Sequence, residues 1–233
     1  MHQHVKDRAK NIYTTHKLTL LLVIAIYTAI EYMTGAISGN IIFNAVSAVI
    51  TSALAASGAC FWFRTYNRGT PDYTDMYSMF MEKQHQNTIL TIIVIGFIID
   101  MVLGVVTTIF AFIPVINIFV MLGMRFVSML LSIVWYLFVA NPGYSAGDCF
   151  RASWKYMNVH IVDYVVFAIS VSLLPAIFCT LLGAIISLLI PFLGSIITTV
   201  IFALFEVYIS LAMAGYISEI IPREWYRGTA TFQ

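Results

Sequence analysis

The chain has 233 residues, of which 61% are hydrophobic and only 10% carry a charge. A soluble domain would carry roughly a quarter charged residues, so this composition excludes an ordinary soluble fold and predicts a surface that mostly faces lipid. The net charge of +1 and the three scattered cysteines give no reason to expect a nucleic-acid partner, a disulfide framework or a zinc site.

Six apolar stretches predict an all-α membrane protein with six transmembrane helices. The predicted spans are about 18–36, 41–63, 89–112, 116–140, 161–188 and 193–219. Short turns with Gly or Pro follow the first, third and fifth spans, which predicts three tight hairpins. Residues 1–17 would form a helix before the first span and 220–233 a tail, so that residues 1–233 are a single polytopic membrane domain.

The basic residues predict the orientation of these spans. All but one of the 12 Lys and Arg residues lie before the first span, between the second and third, between the fourth and fifth, or after the sixth. Because positively charged loops stay in the cytoplasm, both termini are predicted to be cytoplasmic. The same face would attract anionic lipid headgroups, so membrane lipids are the expected partners.

The two longer connections resemble each other. One begins at Pro71 and the other at Pro142, and each continues through a helix N-cap residue into a short amphipathic pattern. This predicts amphipathic helices in the cytoplasmic membrane interface. In the second connection Ser145 and Asp148 form a capping box, and the helix would end near Met157. The predicted interfacial lipid contacts are Phe150, Arg151, Trp154 and Lys155.

Four charged residues lie well inside the predicted spans, namely Glu31, Asp100, Arg125 and Glu206. A charge in the middle of a bilayer costs about 2.5–3.5 kcal/mol on insertion scales, so such residues normally face the bundle interior and pair. We expect Arg125 to pair with one or two of the acids. The group is either a site for a ligand or for protons, or a purely structural ion-pair network. Pro175 predicts a kink in the fifth span.

Two segments resemble a known family. Residues 68–80 read R-G-T-P-D-Y-T-D-M-Y-S-M-F and resemble an R-G-x-x-P-x-x-x-D-L-F-x-x-F motif. Residues 140–155 read A-N-P-G-Y-S-A-G-D-C-F-R-A-S-W-K and are similar to an A-D-N-P-x-x-S-A-x-x-A-x-x-x-S stretch. These two motifs are those of the domain-of-unknown-function 975 family of membrane proteins, mainly from Gram-positive bacteria, which the chain therefore resembles. The resemblance implies six spans and a bacterial plasma membrane, and it implies no established activity.

The sequence predicts a protein that is not an enzyme. It contains no nucleotide-binding P-loop, no H-E-x-x-H zinc motif and no G-x-S-x-G nucleophile motif, and we expect no cofactor and no metal.

The leading hypothesis is binding or transport of a lipid or another hydrophobic or amphiphilic molecule. Arg125 would then bind an anionic headgroup or carboxylate. The three acids would modulate the charge around Arg125 or carry protons. One alternative is the permease subunit of an ABC exporter with a separate ATPase subunit, and another is a membrane scaffold or immunity protein. The oligomeric state stays open.

Overall fold

The computed structural model describes residues 2–36, 41–110, 131–189, 191–223 and 225, together with the single residues 120, 123, 126, 127 and 129. Every regular element within these residues is helical. The helices are α1 (Gln3–Thr15), α2 (Lys17–Ala36), α3 (Ile41–Arg68), α4 (Ser78–Met81), α5 (Lys83–Phe110), α6 (Val134–Ala140), α7 (Ala146–Leu189) and α8 (Pro191–Ile220). A 3₁₀ turn at Tyr73–Met76 lies between α3 and α4.

Five of these helices, α2, α3, α5, α7 and α8, are long and apolar enough to cross a membrane, which is the pattern of a multi-pass membrane protein. The predicted fourth span at about 116–140 lies mostly outside the described residues. The predicted outer turns lie partly outside them as well, since 37–40, 111–119 and 190 are not described. The number of six spans and their three hairpins therefore stay predictions.

Local sequence explains where these helices begin and end. Helix α3 ends at Arg68 because Gly69 adopts a left-handed φ of 84° and donates its N–H to the Thr65 carbonyl at 2.8 Å. Helix α7 begins with the predicted capping box, in which the Asp148 N–H donates to Ser145 Oγ at 3.2 Å. Helix α8 begins with Pro191, whose missing N–H needs no partner at the first helical position.

The prediction of a separate interfacial helix ending near Met157 is wrong. Helix α7 runs without interruption from Ala146 to Leu189 and passes through Pro175. The reason is that Asn158, Val159 and His160 include neither Gly nor Pro, so nothing breaks the helical hydrogen bonds between the interfacial part and the span. The predicted helix before the first span is confirmed as α1.

The hydrophobic core lies at one end of the bundle, where α8 packs against α1, α2, α3, α6 and α7. We call it the basic end. It is formed by the last turns of α3 and α8, the first turns of α5 and α7, and the short helices α1 and α6. The largest fully buried side chains there include Phe61, Phe63, Leu137, Leu211 and Tyr216.

We call the opposite portions of α5 and α7, residues 94–109 and 173–188, the far half. Large apolar side chains on it are exposed, among them Ile98, Val105, Leu174, Leu181 and Leu188.

Candidate functional site

Helices α2 and α8 bring two of the four predicted intramembrane charges together. Glu31 and Glu206 line one cavity of about 400 Å³, which we call the acidic cavity. Its other lining residues are Thr28, Thr198, Phe202 and Ala203. Glu31 is exposed and Glu206 is half-buried. Two carboxyl groups of like charge in one cavity repel each other, and they favour a cationic group between them.

An apolar groove adjoins the acidic cavity. It has a volume of about 440 Å³ and lies between α2 and α8, and we call it the α2/α8 groove. Its lining residues are Leu21, Ile24, Ala25, Thr28, Ala29, Tyr32, Val200, Ala203 and Leu204. Thr28 and Ala203 belong to both the groove and the cavity. An apolar groove thus lies beside a cavity with two carboxyl groups, an arrangement that is complementary to an amphiphile.

The other two predicted charges cannot be added to this site. Asp100 lies on α5, which packs against α3, α4 and α7, and its side chain is outside the described residues. Arg125 lies outside the described residues altogether. The expected pairing of Arg125 with an acid therefore stays a prediction.

A buried ion network at the basic end escaped the sequence analysis. Asp75 is only 2% exposed and accepts from Arg64 at 3.0 Å and from Arg68 at 2.8 Å. The same Arg64 nitrogen also donates to Ser78 Oγ at 2.8 Å. The two arginines are four residues apart and so share one face of α3. That spacing, with an acid in the following loop, was the signal that could have revealed the network.

The connection before α7 is fastened to the start of the C-terminal tail. Asn141 donates through Nδ2 to the Trp225 carbonyl at 2.9 Å and accepts at Oδ1 from the Gly143 N–H at 3.2 Å. The Trp225 indole N–H donates to the Leu137 carbonyl at 2.8 Å. Its ring stacks on Tyr144 with centroids 4.1 Å apart. The Asn141 side chain thus binds a residue of the tail and also stabilises the turn that follows it.

The predicted interfacial residues on α7 differ in exposure. Arg151, Trp154 and Lys155 are exposed, with Trp154 51% exposed, and Phe150 is half-buried. Met157, near which the interfacial helix was predicted to end, is fully buried in the core. The lipid contacts of the exposed residues stay predictions.

Helix α1 is joined to α8 by polar contacts. His2 lies 2.9 Å from a Glu219 oxygen, and His4 contacts the other oxygen of the same carboxylate. The His2 ring also packs edge-on against Tyr216. Within the described part of the chain, no three His, Cys, Asp or Glu side chains are placed to hold a metal ion.

Comparison of the chain with family models, curated proteins and solved structures gave no match. The resemblance of 68–80 and 140–155 to a family therefore stays a prediction. Both segments nevertheless have a physical role in this fold. Arg68 and Asp75 of the first are ion-paired, and Asn141 of the second binds the Trp225 carbonyl.

Proposed function

We propose that the protein binds or moves an amphiphilic molecule within the membrane and catalyses no reaction. The observation that carries the proposal is the α2/α8 groove, an apolar surface that opens into a cavity containing Glu31 and Glu206. An alkyl chain in the groove would displace lipid from apolar walls, and a headgroup would reach the carboxyl groups. Because the ionisable groups among the lining residues of this cavity are both acids, a cationic headgroup fits better than an anionic one.

Binding of matched amphiphiles tests this function. The purified protein in a neutral detergent is offered dodecyltrimethylammonium or dodecanol, which have equal chains and a cationic or an uncharged head, and adducts are counted by native mass spectrometry. We expect preference for the cation, and about tenfold weaker cation binding by Glu206→Gln. Asp7→Asn, which removes an exposed acid outside the groove and the acidic cavity, is the control. Equal binding of the two amphiphiles, or an unaffected Glu206→Gln variant, contradicts the proposal.

We also propose the finer topology, with six spans, both termini in the cytoplasm and the protein in a bacterial plasma membrane. The distribution of Lys and Arg supports it, as does the location of α1 and Trp225 at the same end of the bundle. A variant without its three natural cysteines would carry either Lys10→Cys or Ser38→Cys. A membrane-impermeant maleimide on intact cells should label position 38 and reach position 10 only after permeabilisation. The reverse pattern would invert the topology.

A permease subunit that works with a separate ATPase is the second candidate. Exposed apolar side chains on the connection between α3 and α5 favour it, because Tyr73, Tyr77 and Met81 are 45%, 49% and 71% exposed. Apolar groups on a loop are typical of a protein contact. Gentle extraction followed by native mass spectrometry should then show an ATPase subunit, and Tyr77→Ser together with Met81→Ser should release it. Recovery of the chain without an ATPase contradicts this candidate.

A further inference from the structure

A second cavity, of about 700 Å³, lies at the basic end. It is bounded by the last turns of α3, the first turn of α5 and the connection before α7, and its lining includes Arg64, Glu82, His85, Thr88, Tyr144 and Ser145. None of its lining residues belongs to the α2/α8 groove or the acidic cavity. It is therefore a separate site, and the proposed function makes no use of it.

Arg64 gives this cavity a positive wall. Asp75 has one negative charge and is bonded to both Arg64 and Arg68, so the three side chains together keep one positive charge. Arg64 uses one terminal nitrogen, Nη1, for both Asp75 and Ser78, and 18% of its side chain is exposed. A guanidinium has five N–H donors, so Arg64 retains donors for an acceptor in the cavity.

The other charged side chains at the rim of the cavity do not prevent an anion from binding. Glu82 would oppose one, but His85 Nδ1 lies 3.0 Å from its Oε2, and the Glu82 side chain is 50% exposed to solvent. The Glu82 carboxylate is therefore held by a hydrogen bond and screened by solvent, while the positive charge excess of the arginines lies beside the buried Asp75. Ser145 donates to Asp148, and the carboxylate of Asp148 also lies 3.9 Å from Arg151. Arg64 is the Arg or Lys side chain among the lining residues.

We propose that this cavity binds a phosphate group, either the phosphodiester of an anionic lipid headgroup or free phosphate. The planar guanidinium fork matches phosphate oxygens in two-point hydrogen bonds. A volume of about 700 Å³ accommodates a whole headgroup. A basic membrane face concentrates anionic headgroups at this depth of the protein, which supplies the ligand.

Thermal unfolding of the full chain tests the site with two probes. Inorganic phosphate is titrated against chloride at equal ionic strength in neutral detergent, and nanodiscs of phosphatidylglycerol are compared with nanodiscs of phosphatidylcholine. A raised midpoint with inorganic phosphate identifies free phosphate as a ligand. A raised midpoint in phosphatidylglycerol alone identifies the lipid headgroup. If neither probe raises the midpoint, the proposal is overturned.

Two arginines on one carboxylate supply a matched pair of variants. Arg64→Lys keeps a cation beside Asp75 but removes the fork and Nε, and it should weaken phosphate binding about tenfold. Arg68→Lys makes the same change on the other bond to Asp75 and should alter binding by less than about twofold. Thr88→Met fills the cavity without touching Asp75 and should also reduce binding, whereas Glu82→Gln should strengthen it. Equal losses in the two lysine variants, or unchanged binding in Thr88→Met, overturn the proposal.

Discussion

The basic end and the far half are built from the same long helices, yet they place apolar side chains in opposite ways. At the basic end Phe61, Phe63 and Leu137 are fully buried, and so is Asp75, whose carboxylate is ion-paired with Arg64 and Arg68. In the far half Leu174 and Leu188 are 76% and 86% exposed. Lipid solvates an exposed leucine as well as another leucine does, so burial brings little there. The bundle is therefore specified mainly at the basic end, where water and unpaired charges penalise wrong packing.

The largest expected effect comes from removing the carboxylate of the ion network. Asp75→Ala leaves Arg64 and Arg68 facing each other without an acid between them, which should cost about 3–5 kcal/mol of the free energy of unfolding. Asp7→Ala is the control, because this exposed residue bonds Gln3 four residues away and should cost less than about 0.5 kcal/mol. Chemical unfolding in detergent measures both, and equal losses would show that the network does not stabilise the basic end.

A matched pair of leucines tests the comparison directly. Leu137→Ala opens a cavity in the core of the basic end and should cost about 2–5 kcal/mol. Leu174→Ala makes the same chemical change in the far half, where lipid or detergent fills the space, and should cost less than about 0.5 kcal/mol. The same unfolding experiment applies. A loss at Leu174 as large as that at Leu137 would mean that another protein surface covers the far half.

A pair of glycines should give effects of opposite sign. A Cβ at Gly215 would overlap the Tyr66 ring and come within 2.8 Å of Val5, so Gly215→Ala should cost about 1–3 kcal/mol through overpacking of α8 against α3 and α1. A Cβ at Gly104 meets nothing within 4 Å among the described residues. Gly104→Ala should stabilise α5 by about 0.5–1 kcal/mol through helix propensity. Thermal midpoints measure both. An unchanged or raised midpoint of Gly215→Ala would contradict the packing at Gly215, and a lowered midpoint of Gly104→Ala would contradict the open space at Gly104.

The smallest effect concerns pH at the loop after α3. The Thr74 N–H donates to Asp72 at 2.9 Å, which lowers the pKa of the Asp72 carboxyl below its ordinary value of 3.8. A lowered pKa contributes stability at neutral pH that is lost as the pH falls through the folded-state value. Asp72→Asn keeps an acceptor but does not titrate, so its stability should fall less on acidification than that of the unchanged protein. Identical unfolding curves at low pH would contradict this.

Hydropathy and caps were enough to predict the helical class, the helix before the first span and the start of α7. These features depend on local sequence, such as the capping box of Ser145 and Asp148, and can be predicted without knowing which helices pack together. The pairing of Glu31 with Glu206 in one cavity was not predictable, because it depends on which helices are adjacent. The Asp75 network and the bond from Asn141 to Trp225 were missed for the same reason. The continuity of α7 was misjudged because an interfacial pattern and a span can share one helix.

The contact between α1 and Glu219 also sets an order of assembly during synthesis. His2 and Glu219 are 217 positions apart, so α1 leaves the ribosome long before its binding surface on α8 exists. At roughly 5–20 residues per second this delay is about 10–40 s. During that interval Val5, Ala9 and Ile12, all buried in the finished protein, have no surface of α8 to cover them. Closure of the N-terminal helix onto the bundle is thus a late event that reports completion of the last helix.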